Sequence, residues 1–440
     1  MLLSWTSAGN CARLYDIAFQ SPNPILSDPD GLPFVVQLKN EHVWDAFTVL
    51  CLLEDCNKRG TILRVPHGGD QSARFIKAME ERNKRIRTDG MPEVAHFCDK
   101  CTHFYKDADG KDAKTSCIVI DGITIGHPCC AVHNCKIPLA RSRDRFCPTH
   151  EDQKYICSIL RCNEPVVPSR LTCNNPTHQA AEQRLRARGE ARFQLLQRLQ
   201  RARLAMANES LPQGERTAED MVDDGEEQAF DVNPAGEIVG EDAGPEACPD
   251  KPLSGNRRIT AQFGRKRTHN ELIFVAPCGV IVARDTCYGA EAVSSVIELF
   301  KRIYFVGFKP DHLFFDNNCR LAAMVRGGKE PFFDDVGLTV DVFHFKSKHS
   351  INDHFCQQYC NPIAYPELRD EKGNWRFNSS IAEQTNVWLA GYNAICREMT
   401  VEKFNFFLDE MIMRHNRITL ARLQLTGQSP DYWKLSDMRH

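Results

Sequence analysis

The chain contains several short segments in which apolar residues alternate with polar ones or run together, and such patterns predict β-strands. The first of these segments ends at Asp121. The second and third lie on either side of a Cys-Gly turn. The predicted strands cover residues 116–120, 272–277, 279–283, 312–315 and 338–345.

Apolar residues three or four positions apart predict helices between these strands and after them. Residues 290–304 carry such a face, residues 320–325 form a shorter helix, and a third helix begins near Ser380 and reaches Met399. The resulting order is strand, strand, strand, helix, strand, helix, strand, helix, with a cysteine-rich segment inserted after the first strand. By analogy, this is the order of an α/β domain of the RNase H-like class.

The remaining regions differ in composition. Residues 179–206 combine leucines at helical spacing with arginines, which predicts a basic helix. Residues 207–256 are acidic and poor in aromatic residues, which predicts a flexible linker. The predicted divisions are an N-terminal region of unknown role (1–95), a discontinuous α/β domain (96–128 and 257–425), a cysteine-rich insertion (129–178), the basic helix, the linker and a C-terminal tail (426–440).

Charge is distributed unevenly along the chain. The net charge is only −3, so no global basic field indicates nucleic acid. However, residues 184–203 hold seven arginines and one glutamate, whereas residues 209–250 hold fourteen acidic residues and one arginine. The basic helix and the acidic segment can each act on their own, although their charges cancel in the net charge of the chain. The alternative to a separate role for the basic helix is that its arginines form a solvated face while the helix packs on a neighbouring element.

With 42% hydrophobic and 26% charged residues, the composition is that of a soluble globular protein. No apolar run reaches membrane length, and no secretory leader is recognisable. We therefore expect an intracellular protein that does not bind a membrane. Twenty cysteines are many for such a chain. In a reducing compartment, a cluster of cysteine and histidine residues favours metal binding over disulfides.

A repeat of roughly 27 residues predicts two zinc sites. Both units contain three cysteines and a histidine. In each unit the second cysteine is followed by Pro three positions later (Cys-x2-Pro), and each unit ends in Pro-Thr-His. Zn²⁺ prefers four such ligands in a tetrahedron, and a closed four-ligand site is normally structural. The predicted ligands are Cys130, Cys135, Cys147 and His150 in the first unit, and Cys157, Cys162, Cys173 and His178 in the second.

Three alternatives remain for this repeat. The cysteines could be ordinary buried residues, which pack as small hydrophobes, although the doubled pattern argues against this. His133 or Cys129 could replace a ligand in the first unit. The two sites could also interleave instead of following one another.

Two further groups contain metal-binding residue types without a complete spacing pattern. Cys98-x2-Cys101, with His96 and His103 on either side, provides half a site. The second group is a candidate for another zinc ion, although spacing does not fix its ligands. Its predicted ligands are Cys356, Cys360, His349 and His354, with His344 and Cys319 nearby.

Three acidic residues lie where an RNase H-like domain carries metal-binding carboxylates: the end of the first strand, the end of the fourth strand and the last helix. They are Asp121, Asp316 and Glu383. Mg²⁺ is held by a few carboxylates that leave positions open for phosphate and water. Two such ions are used in phosphoryl transfer on DNA.

Each of these carboxylates also has a structural explanation. Asp121-Gly122 is a hairpin-turn sequence, Asp316 occupies a helix N-cap position, and Ser380 with Glu383 matches a capping box. The same region contains rival carboxylates at Asp334, Asp335, Asp341 and Glu367.

Longer motifs resemble those of one family. They are Asp-Gly-Ile-Thr-Ile-Gly-His-Pro-Cys-Cys at 121–130, Phe-Phe-Asp-Asn-Asn-Cys-Arg-Leu at 314–321, Asp-Val-Phe-His-Phe-Lys at 341–346, Cys-x3-Cys-Asn-Pro at 356–362 and Phe-Asn-Ser-Ser-Ile-Ala-Glu-Gln-Thr-Asn at 377–386. Taken in this order, they resemble the Kyakuja–Dileera–Zisupton (KDZ) transposases of DNA elements best known from fungi. The resemblance covers about residues 90–415.

The resemblance implies an RNase H-like (DDE-type) catalytic domain with a zinc-binding insertion. Asp121, Asp316 and Glu383 match the acidic triad, which would bind Mg²⁺ or Mn²⁺, while at least two zinc ions would be structural. The implied function is metal-dependent cleavage and strand transfer of DNA at transposon ends. Transposon-end and target DNA are the implied partners of a homo-oligomer in the nucleus.

DNA phosphates would be contacted by the zinc insertion, the basic helix and Arg265-Lys266-Arg267, without sequence preference. The alternative function is that of a catalytically inactive, transposase-derived protein that binds zinc and DNA.

Overall fold

The computed structural model of the protein divides the chain into two compact units. The first unit combines residues 1–126 with 269–440, and the second comprises residues 127–268. Within the described ranges, every helix is too short or too polar to cross a membrane. The structure describes residues 6–19, 25–27, 33–35, 38–68, 70, 73–107, 109–187, 228–232, 238–239, 259–290, 292–304, 308–348 and 352–434.

Strands and helices are numbered in chain order. The strands are β1 (Ile25–Ser27), β2 (Pro33–Val35), β3 (His96–Phe97), β4 (Thr102–Lys106), β5 (Asp112–Ile123), β6 (Pro128–Cys129), β7 (Gln228–Val232), β8 (Ile238–Val239), β9 (Ile259–Ala261), β10 (Lys266–Arg267), β11 (Asn270–Val275), β12 (Ile281–Cys287), β13 (His312–Phe314), β14 (Gly337–Thr339) and β15 (Asp431–Tyr432). The α-helices are α1 (Ala8–Phe19), α2 (Asn40–Arg59), α3 (Ile76–Asp89), α4 (176–187), α5 (Val293–Tyr304), α6 (Asn318–Val325), α7 (Val342–Lys348), α8 (His354–Tyr359), α9 (Ile381–Ala390), α10 (Asn393–Cys396) and α11 (Val401–Leu425).

A mixed β-sheet forms the centre of the first unit, which confirms an α/β fold. Its strand order is β12-β11-β5-β13-β14, and β4 pairs with the first half of β5. Strand β11 runs antiparallel to both β5 and β12, whereas β13 runs parallel to both β5 and β14. The parallel pair β5 and β13 therefore brings two carboxyl-terminal strand ends side by side.

Side chains of β5 alternate between two apolar cores. Ile118 and Ile120 contribute to a core that also contains Phe300 of α5, whereas Val119 contributes to a second core with Phe407 of α11. Because successive side chains of a strand point to opposite faces, apolar packing covers the sheet on both sides. This explains the uninterrupted buried run in the strand.

The predicted strand 338–345 is wrong beyond Thr339. The chain turns there into α7, because the Asp341 carboxylate accepts hydrogen bonds from the backbone N–H groups of Phe343 and His344 at 2.8 and 3.0 Å. Such a bond satisfies donors that have no partner inside the helix. His344 is thereby placed on a helix instead of on a strand.

The helix that was predicted from Ser380 to Met399 ends at Ala390. A single turn, α10, follows it, and the long helix α11 comes next. In the N-terminal region, the apolar residues 43–53 lie in α2, and α3 covers residues 76–87. Helix α3 packs against α11, where Arg82 forms a buried ion pair with Glu410.

The second unit has a smaller described core. It contains the β6–β10 pair, the sheet β8-β7-β9 and an apolar cluster that includes Ile159, Ala181 and Phe263. The predicted basic helix is described only as α4, and residues 188–206 lie outside the described residues. The predicted acidic linker contributes β7 and β8, and its other residues also lie outside the described part of the chain.

Candidate functional site

Three acidic residues from separate segments border one pocket of the first unit. Asp121 lies near the end of β5, Asp316 follows β13, and Glu383 lies in the first turn of α9. Asp341 and His344 line the same pocket. Ligands of α/β sheets commonly bind at the carboxyl ends of parallel strands, and this pocket occupies such a position.

Exposure separates these residues into two groups. Asp316 and Glu383 keep 39% and 50% of their side-chain surface exposed, whereas Asp341 and His344 keep only 7% and 9%. The first two carboxylates can therefore reach a ligand from solvent. The buried pair forms the wall of the pocket behind them.

His344 connects two of the predicted site carboxylates. Its Nδ1 lies 3.0 Å from Oδ1 of Asp316, and its Nε2 lies 3.3 Å from Oε1 of Glu383. Nδ1 is also 3.6 Å from Oδ2 of Asp341. The imidazole thus lies between the strand-end carboxylate and the helix carboxylate.

Asp121 is oriented by hydrogen bonds on both of its oxygens. Oδ1 accepts from the backbone N–H of Gly122 at 2.8 Å, and Oδ2 accepts from Nδ2 of Asn386 at 2.7 Å. Asn386 lies one helical turn after Glu383 on α9. The sequence does not reveal that Asn386 contacts Asp121. It shows only that Asn386 and Glu383, three positions apart, share one face of the helix.

The structure does not show the hairpin-turn and helix-capping roles that the sequence suggests for the three carboxylates. Asp121 and Gly122 lie inside β5 and pair with Ile273 and Leu272 of β11, so they form no hairpin turn. The N-cap of α6 is Asn317, not Asp316. In the described structure Ser380 makes no side-chain cap bond to α9, and its Oγ instead donates to Oδ1 of Asp341 at 3.1 Å.

The rival carboxylates have other positions. Asp341 lies in the pocket but caps α7, as described above. Asp334 is exposed, Asp335 pairs with Lys309, and neither lines the pocket. Glu367 also lies outside it, where a hydrogen bond from His312 at 3.1 Å lowers the pKa of its carboxyl.

The first predicted zinc unit forms a compact four-residue cluster. Nδ1 of His150 lies 3.6, 3.5 and 3.3 Å from Sγ of Cys130, Cys135 and Cys147, respectively. Ligand atoms around a tetrahedral Zn²⁺ are about 3.5–3.8 Å apart when the ligand bonds are about 2.0–2.3 Å. The donor set and its spacing therefore fit zinc. Cys129 lies in β6 and His133 is exposed, and neither belongs to the cluster.

The second unit repeats this arrangement. Nδ1 of His178 lies 3.5 Å from Sγ of Cys157 and 3.3 Å from Sγ of Cys173, and Sγ of Cys162 is 3.9 Å from that of Cys173. Burial lowers the pKa of His178, which favours the neutral imidazole that binds metal. The two clusters follow one another along the chain and do not interleave.

The other predicted zinc ligands do not assemble in the described residues. His354 is exposed at the start of α8, and His349 lies outside the described residues. Cys356 and Cys360 are buried, and Sγ of Cys356 lies 2.8 Å from Sγ of Cys319. The group found there consists of thiols, and His344 belongs to the acidic pocket instead.

Two of the predicted phosphate-binding residues lie on a strand. Lys266 and Arg267 form β10, while Arg265 donates from its Nη1 to the carbonyl oxygen of Ser142 at 3.0 Å. This bond joins Arg265 to the first zinc unit. Lys266 and Arg267 are partly exposed.

The fold and these clusters define a mixed α/β protein with cysteine–histidine groups that could hold structural zinc. Residues 119–184 match the family model of the CxC6-like cysteine cluster associated with KDZ transposases. The match includes Asp121 and both predicted zinc units. For these residues, it supports the resemblance to the KDZ transposases. Comparisons with curated proteins and with solved structures gave no match.

Proposed function

We propose that this protein is a DNA transposase that cuts DNA at transposon ends and joins the freed 3′-hydroxyl to a target. The proposed catalytic residues are Asp121, Asp316 and Glu383 on an RNase H-like unit. The observation that carries the proposal is their convergence on one pocket from three segments that are distant in sequence. The CxC6-like match, which is associated with transposases, supports it.

The strand order supports the RNase H-like assignment. Strands β5, β11 and β12 form an antiparallel meander, and β13 and β14 then join the other side of β5 in parallel. This agrees with the order of three strands, helix, strand, helix, strand and helix expected from the sequence, although α7 and α8 precede the last helix. In this proposal, Asp121, Asp316 and Glu383 correspond to the three positions at which such a domain carries its carboxylates.

The residues in the pocket fit divalent cations. Carboxylate oxygens are the preferred ligands of Mg²⁺ and suit Mn²⁺ as well. Asp121 and Asp316 would share one ion, and Glu383 would complete the second site. When bound, the ions activate the attacking water or 3′-hydroxyl and stabilise charge on the departing oxygen. The exposed surfaces of Asp316 and Glu383 leave access for a phosphate group.

Neighbouring side chains keep these carboxylates in position. Asn386 and the Gly122 N–H fix the two oxygens of Asp121, while His344 contacts both Asp316 and Glu383. Carboxylates that are already oriented lose less conformational freedom when they bind a cation. We assign His344 and Asn386 a positioning role.

The zinc clusters have a structural role in this proposal. Each is a closed set of four ligands, so no coordination position remains for a substrate. Lys266 and Arg267 are proposed to contact DNA phosphates, which gives an affinity that decreases with salt. The DNA-bound form is proposed to be a homo-oligomer in the nucleus.

The test is a plasmid-nicking assay with the purified full chain in Mg²⁺ or Mn²⁺. We expect nicking by the wild type and loss of at least about 100-fold in Asp121→Asn, Asp316→Asn and Glu383→Gln, because each removes a charged ligand. Asp334→Asn removes an exposed carboxylate outside the pocket and should keep wild-type activity. Thermal unfolding of all four variants checks that the fold is retained.

Two results would contradict the proposal. Wild-type rates in all three pocket variants would refute the assigned residues. If the wild type shows no metal-dependent nicking but binds DNA in a salt-sensitive way, the result would instead favour a catalytically inactive protein that binds zinc and DNA.

A further inference from the structure

Four metal-binding side chains meet in the first unit, outside residues 119–184 and outside the acidic pocket. They are His96, Cys98, Cys101 and Cys278, and their ligand atoms all lie within 4.8 Å of one another. None of the four residues is more than 8% exposed. The sequence brings His96, Cys98 and Cys101 together but not Cys278, which belongs to the distant turn between β11 and β12.

Cys98 and Cys101 lie in one tight turn before β4. The backbone N–H groups of Cys101 and Thr102 donate to the carbonyl oxygen of Cys98 at 3.0 and 2.9 Å. The N–H of Cys98 donates in turn to Sγ of Cys101 at 3.2 Å. A donor directed at sulfur stabilises the thiolate, which is the form of cysteine that binds metals.

A second turn positions Cys278. The N–H of Ala276 donates to the carbonyl oxygen of Val280, and the N–H of Gly279 donates to that of Ala276, both at 2.8 Å. Gly279 has φ = 95°, a conformation that favours glycine. This turn places Sγ of Cys278 3.5 Å from Nε2 of His96.

A disulfide does not account for this group. The Sγ atoms of Cys98 and Cys101 are 3.6 Å apart, whereas a disulfide bond is about 2.05 Å long. A cation at the centre would pair with Nε2 of His96 and with all three sulfurs.

We propose that His96, Cys98, Cys101 and Cys278 bind a structural Zn²⁺. Three sulfurs and one imidazole nitrogen form a donor set typical of closed zinc sites, and the separations of 3.5 and 3.6 Å fit a tetrahedron. The ion joins the segment before β4 to the β11–β12 hairpin. Because the whole second unit lies between these segments in the sequence, the link closes a very long loop. Because the site forms only in the folded chain, zinc binding stabilises the first unit.

The first test is the zinc content of the purified full chain. With the two clusters of the second unit, the wild type should contain three zinc ions per chain. Cys278→Ser should contain two, and the double variant Cys147→Ser/Cys278→Ser should contain one. The matched control is Cys287→Ser, which changes a buried cysteine of the neighbouring strand β12 and should retain three. Two ions in both the wild type and Cys278→Ser would overturn the proposal.

The second test uses the wild-type chain, so it does not depend on the folding of a variant. Cysteines are alkylated under native conditions with and without a strong chelator, and each site is quantified by mass spectrometry. We expect the chelator to raise the labelling of Cys98, Cys101 and Cys278 at least about tenfold, with little change at the buried Cys287. Equal labelling with and without chelator, or recovery of a Cys98–Cys101 disulfide, would exclude zinc here.

Discussion

Nδ2 of Asn386 donates a hydrogen bond to Oδ2 of Asp121 over 2.7 Å, which links α9 to the end of the central strand. Glu383 lies one turn earlier on the same helix. The contact therefore fixes the distance between two carboxylates of the proposed site. Any change in the orientation of α9 would move both Glu383 and the donor to Asp121.

The first prediction concerns this hydrogen bond. Asn386→Ala removes the donor to Asp121 but leaves all three carboxylates in place. Loss of a residue that orients a metal ligand typically costs about 10–100-fold in metal affinity or activity. We therefore expect the Mn²⁺ concentration for half-maximal nicking to rise by about tenfold or more.

The control for this experiment is Asn393→Ala, which changes an exposed asparagine at the start of α10. It should leave the Mn²⁺ dependence unchanged. If Asn386→Ala gives the wild-type Mn²⁺ curve, the bond to Asp121 does not position a metal ligand.

Part of the candidate site could be predicted from the sequence. Asp121 and Asp316 follow apolar strands, and Glu383 follows a helix-start pattern, so their positions are encoded locally. Asn386 and His344 could not be found in this way, because their partners are set by the order of strands in the sheet. Its spacing groups His344 with nearby cysteines, but α7 turns it towards the carboxylates instead.

The second prediction concerns the repeat in the second unit. Cys147→Ser removes one of the four residues in the first cluster and should lose about one zinc ion per chain. Burial raises the pKa of the Cys130 and Cys157 thiols to about 11, so zinc binding requires proton release and should weaken as the pH falls. Zinc content is measured by elemental analysis after dialysis.

Cys129→Ser is the matched control for the zinc repeat, because Cys129 is buried beside Cys130 and is absent from the cluster. This variant should retain the wild-type zinc content. A loss of zinc in Cys129→Ser without a loss in Cys147→Ser would mean that Cys129 is the ligand.

Much of the sheet could also be predicted, since β5, β11, β12 and β13 are short apolar segments. The long helix α11 was not predicted as a separate element. Its residues Phe404–Met413 are all buried, so the apolar positions form no single stripe. An element that is covered on several sides loses the periodicity by which a helix is recognised.

The third prediction concerns a buried charge cluster that attaches α11 to the sheet. Arg284 of β12 donates to Glu271 of β11 and to Asp409 of α11, both at 2.7 Å. Arg284→Met would leave two carboxylates without their counter-charge. Breaking such a buried pair costs about 3–5 kcal/mol, so we expect a decrease of that size in the free energy of unfolding by urea.

The control is Arg302→Met. Arg302 pairs with Asp285 at 2.8 Å, but both side chains remain about 30% exposed. Because solvent weakens such pairs, this variant should lose only about 0–1 kcal/mol. Equal losses in the two variants would show that burial does not determine the contribution of Arg284.

The fourth prediction concerns His415 of α11. Its ring centroid lies 4.3 Å from that of Trp388, and burial, with a smaller contribution from Arg422, lowers its pKa to about 4. Below a pH of about 6.5, the unfolded chain protonates this histidine while the folded chain keeps it neutral. The unfolded state then binds more protons, so the free energy of unfolding decreases as the pH falls from about 6.5 to 4.

His415→Gln removes this contribution. Between pH 6 and pH 5, the wild type should lose up to about 1.4 kcal/mol per pH unit more than the variant. Urea unfolding at these pH values measures the difference, with the exposed His354→Gln as the control that should follow the wild-type profile. If His415→Gln keeps the wild-type slope, His415 is protonated in the folded protein as readily as in the unfolded chain, and its burial against Trp388 does not disfavour the charge.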